Sequence, residues 1–139
     1  MQDTSVPYGN YIFETALYMN PLSSFLAADG YIEYYTFTED ALVITEETGS
    51  QRSIPVKYER SPVDEQNFMA SFDIDVGTPD ISNYKERYKY TLNEPTSTNP
   101  TYQLYMMDSE VWFARLNKGS MWSIYKISRF EGALPKLID

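Results

Sequence analysis

The sequence predicts an all-β fold: an antiparallel up-and-down barrel of eight strands, or a strongly curved sheet, with one helix between strands four and five. Three observations carry this expectation. Thirteen Tyr, seven Phe and two Trp, with many Ser and Thr, favour pleated, half-buried segments over helices. Turn residues recur about every ten positions, the spacing of short strands in a sandwich or barrel. Between the turns, side-chain polarity alternates with the period of a strand. Eight strands can close on themselves and remove the exposed edges that invite aggregation. The alternative is a two-layer arrangement in which a sheet packs on the helix.

A tether at 1–9 precedes strands one to four at 10–60. "NYIFETALYM" (10–19) is the first strand, with Tyr11, Phe13, Leu17 and Met19 sharing a face. "YIEYYTFT" (31–38) is the second, apolar on both faces. Thr38-Glu39-Asp40 turns the chain into "ALVITEE" (41–47), and "TGS" (48–50) turns it again. In "SIPVKYE" (53–59), Ile54, Val56 and Tyr58 point one way and Ser53, Lys57 and Glu59 the other. Pro55 cannot donate to a ladder, so it belongs at an edge, at a bulge or where its N–H position faces out. The period then changes. "SPVDEQNFMASF" (61–72) reads as a helix, with Ser61 as cap, Pro62 in the first position and Asp64 three residues beyond the cap. Phe68, Met69 and Phe72 form its stripe. Strands five to eight occupy 84–130: "YKERYKYTL" (84–92), "YQLYMM" (102–107), "VWFARLN" (111–117) and "MWSIYKISRF" (121–130), with turns at Asp108-Ser109 and "KGS" (118–120). At 139 residues these elements form one domain.

Composition narrows the chemistry. The chain has neither cysteine nor histidine. This excludes disulfides, thiolate catalysis, Cys-based metal sites and the Ser–His and Cys–His hydrolase arrangements. An enzyme here would rely on carboxylates, Lys, Tyr or a Ser–Lys pair. The net charge is −9, and residues 1–51 hold eight acids and no base. Nucleic acid and anionic membrane surfaces are disfavoured partners, because both require basic residues. A basic protein partner remains open, and solubility is the plainest reading of the charge. No stretch reaches the roughly 18 apolar residues of a membrane span. The polar opening "MQDTSVPYG" resembles the tether of an exported protein, so the expected location is extracytoplasmic, secreted or surface-anchored.

Candidate sites are few. The connector "YMNPLSSFLAADGY" (18–31) is unusually apolar for a link between strands. Asn20-Pro21 starts and Gly30 stops a short helix, whose Leu22, Phe25 and Leu26 share one face. Across a barrel mouth it would serve as a plug completing the core or as a lid over a ligand. Asp73, Asp75 and Asp80 in "DIDVGTPD" offer oxygens for calcium, but the EF-hand spacing fails at the fifth, sixth and twelfth positions, and a solvated acidic loop fits better. No metal or cofactor is expected. The adjacent acids Glu39-Asp40, Glu46-Glu47 and Asp64-Glu65 cannot face each other across a cleft as glycoside hydrolysis requires. Glu14 and Glu33 interrupt apolar strands; strand alternation places them outside by default, and either one pointing inward would enter a cavity. Trp112 and Trp122 serve as core or as a stacking platform.

Gly9-Asn10-Tyr11 at the first strand and Arg129 near the end of the last resemble the lipocalin-like, or calycin, barrels. That family opens on Gly-x-Trp, with an arginine packed over the ring. Tyr11 stands where the family has Trp, and a mid-chain helix departs from its pattern. The resemblance implies a small apolar ligand inside the barrel and a cation–aromatic contact of Arg129 with Tyr11. The expectation is a non-enzymatic binding protein holding a small apolar or aromatic ligand in or at the mouth of the barrel. Its ligand-binding residues are Leu22, Phe25, Leu26, Tyr31, Tyr35, Trp112 and Trp122. The alternative is a protein-interaction module with a filled barrel and a basic partner.

Overall fold

A computed structural model describes residues 6–18, 32–64, 81–95, 102–117 and 121–136. Nine strands are present: β1 (Gly9–Tyr18), β2 (Glu33–Phe37), β3 (Ala41–Glu46), β4 (Gln51–Pro55), β5 (Lys57–Pro62), β6 (Arg87–Asn93), β7 (Tyr102–Met107), β8 (Glu110–Asn117) and β9 (Met121–Arg129). They form one sheet in the order β4-β3-β2-β1-β9-β8-β7-β6-β5, every pairing antiparallel. The two end strands are consecutive in sequence, so one bent ribbon bridges the ends and the sheet is a nearly closed up-and-down barrel.

The ninth strand arises from that bend. The sequence reading gives one strand over 53–59; the structure breaks it at Val56. Pro55 ends β4 because it has no N–H to continue the ladder. Val56 N–H turns instead to Asp40 O at 3.0 Å. The chain leaves β3 on one side of the corner and joins β6 on the other. Tyr58 pins the seam by donating its hydroxyl to Thr38 O at 2.8 Å.

The expected helix at 61–72 is corrected at its start. Ser61 and Pro62 end β5, opposite Lys89 and Tyr88, and no helix occurs among the described residues. A local capping pattern lost to long-range pairing with β6: Pro62 at the last position of a sheet-edge strand forfeits no ladder bond. Residues 65–72, including Phe68, Met69 and Phe72, lie outside the described residues, as do Asp73, Asp75 and Asp80. Tyr84 precedes β6 rather than joining it. Within the segment read as a tether, Val6 is buried in the core and Tyr8 packs against it. Among the described residues no helix is long and apolar enough to cross a membrane.

Two apolar clusters hold the sheet together. The interior contains Tyr11, Tyr35, Phe37, Leu42, Tyr90, Leu92, Leu104, Phe113 and Tyr125, all at most 1% exposed. Phe113 on β8 meets Tyr35 and Phe37 on β2 at 4.6 and 5.8 Å between ring centroids. β2 and β8 are separated by two strands in the sheet order, so these contacts cross the lumen and fill it. The second cluster covers the outer face of β7, β8 and β9: Tyr105, Met107, Trp112, Ala114 and Ile124 pack with Val63, Ile81, Leu17 and Tyr84. The chain between β5 and β6 therefore leaves and returns over this face.

Two register shifts on β1, between Phe13 and Thr15 and between Ala16 and Tyr18, explain why simple alternation fails there. Each extra residue changes which face the following side chains take. Tyr11 and Phe13 belong to the interior, whereas Leu17 joins the outer cluster.

The closed end of the barrel is tied by Arg129. Its guanidinium lies 5.1 Å from the Tyr11 ring centroid and donates to Tyr8 O at 3.0 Å. Gly9 is required beneath it: φ is +130°, and a Cβ there would stand 2.7 Å from Arg129 Nη1. Gly9→Ala should therefore cost about 2 kcal/mol from backbone strain, with loss of the Arg129 contacts in addition. Urea unfolding checks this. An unchanged midpoint would show that neither the conformation nor the close approach matters.

Candidate functional site

At the opposite end, β1 finishes, β2 and β4 begin and β3 finishes, and the side chains are polar. Glu33 and Arg115 sit in phase with the interior residues Tyr35 and Phe113 of their own strands, two residues nearer this mouth. Their side chains meet across the lumen, Arg115 Nη1 to Glu33 Oε1 at 2.8 Å, with 21% and 9% of each side chain exposed. Tyr35 Oη donates to the same Oε1 at 2.7 Å. Burial alone would weaken the charge on Arg115, but the Glu33 carboxylate, with the hydroxyls of Tyr35, Tyr125 and Tyr102, holds its pKa above the ordinary value. Arg52, on β4, donates from Nη2 to Tyr102 Oη at 2.8 Å. Tyr102 stands directly opposite Arg115 on the neighbouring strand, so one hydroxyl lies near both guanidinium groups.

Above this floor is a recess of about 580 Å³ lined by Ile32, Glu33, Ile44, Glu46, Glu47, Thr48, Ser50, Gln51, Arg52 and Arg115. Its size falls in the range that takes small ligands. Its floor is closed by the aromatic interior, and Ile32 and Ile44 are the large apolar side chains of its lining. The site can hold a small molecule by hydrogen bonds and one apolar contact.

Of the residues expected to bind ligand, Tyr35 lies under this mouth, fully buried. Trp112 is elsewhere, on the outer face; its Nε1–H donates to Glu110 Oε1 at 3.1 Å and its ring meets Tyr84 edge-on at 5.3 Å. Tyr35 and Trp112 are therefore not brought together. The backbone of Trp122 pairs with Leu116 on β8, but its side chain lies outside the described residues. Leu22, Phe25, Leu26 and Tyr31 also lie outside them; the chain leaves at Tyr18 and is next described at Ile32, both at the polar mouth.

The sequence reading missed Arg115, Arg52 and Gln51. A signal existed for Arg115. In "VWFARLN" it alternates in phase with Phe113, as Glu33 does with Tyr35 and Phe37; Glu33 opens β2 and Arg115 lies towards the end of β8. Opposite charges in phase with two apolar faces mark a pair that meets across a lumen. The other acid singled out, Glu14, lies outside. Ser128 Oγ donates to its Oε2, and Lys126 Nζ lies 3.8 Å from both Glu14 and Glu110. The lysine separates the two acids on an open surface, where such pairs contribute little. Among the described residues no three acidic side chains cluster to hold a metal.

The tyrosines couple the fold to alkaline pH. Burial raises the pKa of Tyr11, Tyr58, Tyr105 and Tyr125. Tyr84 is pushed up to about 12, by burial first and then by its hydrogen bond to Glu110. A raised folded-state pKa means stability that is fully present below the unfolded value of about 10 and lost as pH climbs through the folded value. Denaturant midpoints should therefore hold up to about pH 10 and fall above it, with the tyrosinate signal appearing in the same step as unfolding. Gradual ionisation of all tyrosines in a folded protein would refute this. No protein-family model, curated protein or solved structure matches this chain.

Proposed function

We propose that the protein is a non-enzymatic binding protein that holds a small ligand with an apolar or aromatic body at the mouth of its barrel, above Arg115 and Glu33. The observation that carries this reading is the recess of about 580 Å³ over a buried ion pair. The lumen below is occupied by aromatic side chains, so the ligand sits at the mouth rather than inside. Gly9, Tyr11 and Arg129 support a lipocalin-like reading of the closed end, since the guanidinium lies over the ring beside a glycine with no room for a side chain.

A basic protein partner is the second candidate, and the topology argues against it. Glu39-Asp40 precede β3, while Glu46 ends β3 and Glu47 begins the turn after it, so the two pairs lie at opposite ends of the strand. They form no single acidic face.

Native mass spectrometry of the full chain purified from its own host, with an NMR fragment titration, tests the reading. The expected result is a retained small mass, or amide shifts centred on Ile32, Ile44, Arg52 and Arg115. No retained mass and no fragment perturbing those residues would overturn it.

A further inference from the structure

We infer that the recess selects a neutral, planar polar group presenting a hydrogen-bond donor beside an acceptor, the edge of a carboxamide or lactam. This rests on the reading of the mouth as a small-ligand site and goes further by naming the chemistry of the ligand. Glu33 is nine-tenths buried, and both of its described hydrogen bonds, from Tyr35 and Arg115, fall on Oε1. Among the described residues Oε2 accepts none, and Glu33 lines the recess. Arg115 lines it too. It carries five N–H donors, of which one, on Nη1, is described as bonded, to Glu33. The floor thus offers an acceptor next to donors, on two groups whose charges already cancel.

The rim adds Glu46, Glu47 and Arg52, but all three are exposed and screened by solvent; at the buried floor the cancellation of Glu33 and Arg115 decides the ligand class. A carboxylate ligand would compete with Glu33 for Arg115 and leave two anions around one cation. An ammonium ligand would place a second cation beside Arg115. Either adds an uncompensated charge at a largely buried pair, which costs more than one hydrogen bond returns. A carboxamide gives its N–H to Glu33 Oε2 and its C=O to Arg115, and the sum of charges is unchanged. Ile32 and Ile44 then face its apolar body.

Three probes with the same ring separate the cases: benzamide, benzoate and benzylammonium, titrated into the intact labelled chain and followed by NMR. Benzamide should bind about tenfold more tightly than either charged probe, the ratio carried by roughly one hydrogen bond, and should shift the Arg115 side-chain N–H signal. Glu33→Gln leaves the guanidinium uncompensated and should move the preference to benzoate. Arg115→Lys keeps the charge but not the planar fork and should lose the benzamide preference while remaining folded. Stronger binding of benzoate or benzylammonium to the unaltered protein overturns this inference but leaves the recess as a binding site. Failure of all three probes to perturb Ile32, Ile44 or Arg115 overturns both. The unaltered chain alone decides, even where a variant does not fold.

Discussion

Phe113→Ala should be the most damaging single substitution in the barrel interior, lowering stability by about 3–5 kcal/mol. Phe113 is fully buried and touches three rings from two other strands: Tyr35 and Phe37 across the lumen, and Tyr102, stacked at 5.7 Å. The cost has two parts. The ring's transfer from water is lost, and a void remains that the neighbouring rings cannot close, because they are fixed to two other strands of a nearly closed sheet. A domain of this kind has roughly 5–15 kcal/mol in total, so the variant should melt roughly 10–20 °C lower. Tyr34, which packs on Phe130 away from both clusters, provides the comparison: Tyr34→Ala should cost less than half as much. Equal losses at the two sites, measured by urea unfolding, would mean that the lumen is not the load centre of the fold.

Much of this architecture was legible because strand alternation and turn residues are local properties. The meander, the turns at Thr38–Asp40 and Asp108-Ser109, and the position of Pro55 at an edge all follow from residues a few places apart. What escaped depends on distant partners. Ser61-Pro62-Val63-Asp64 carries the residues of a helix start, yet Ser61 and Pro62 face Lys89 and Tyr88 on β6, and no local pattern announces that pairing. The two bulges on β1 moved Leu17 to the outer face without a glycine or proline to mark them. Trp112, read as core or as a stacking platform, is buried, but on the outer side of β8. The reason is a second cluster on the outside, closed by Val63 and Ile81 from the chain between β5 and β6.

The candidate site was half legible for the same reason. Glu33 stood out as a charge in an apolar strand, but a strand alone does not say which way its odd residue points. Its partner lies 82 positions later. Only the sheet order, which sets β2 across the lumen from β8, brings the two charges together. Arg52 depends on the corner at Val56, since that bend sets β4 at the edge of the sheet, where Arg52 reaches Tyr102 on β7.

Arg115→Met should destabilise the protein by about 3 kcal/mol at neutral pH, although methionine fills similar space and the mouth is partly open to water. The cause is the partner left behind. Glu33 would keep only Tyr35 as a described partner on a side chain that is 9% exposed, and an orphaned buried charge costs roughly 3–5 kcal/mol. The 21% exposure of Arg115 puts the expectation at the lower end of that range. Glu33→Gln should cost a similar amount by orphaning the cation. The double variant Glu33→Gln/Arg115→Met removes both charges and should recover to within about 1 kcal/mol of the starting protein, because a buried pair and a neutral replacement are often equal in stability. Strong non-additivity is therefore the signature. The pH profile separates this pair from the tyrosines. The pKa of Arg115 is raised in the folded state, so its contribution is fully present below the ordinary arginine value and declines only above it. The loss of stability above about pH 10 should thus persist in the double variant. If the two single losses instead add in the double variant, Glu33 and Arg115 act independently, and the mouth has no charge-paired floor on which to hold a ligand.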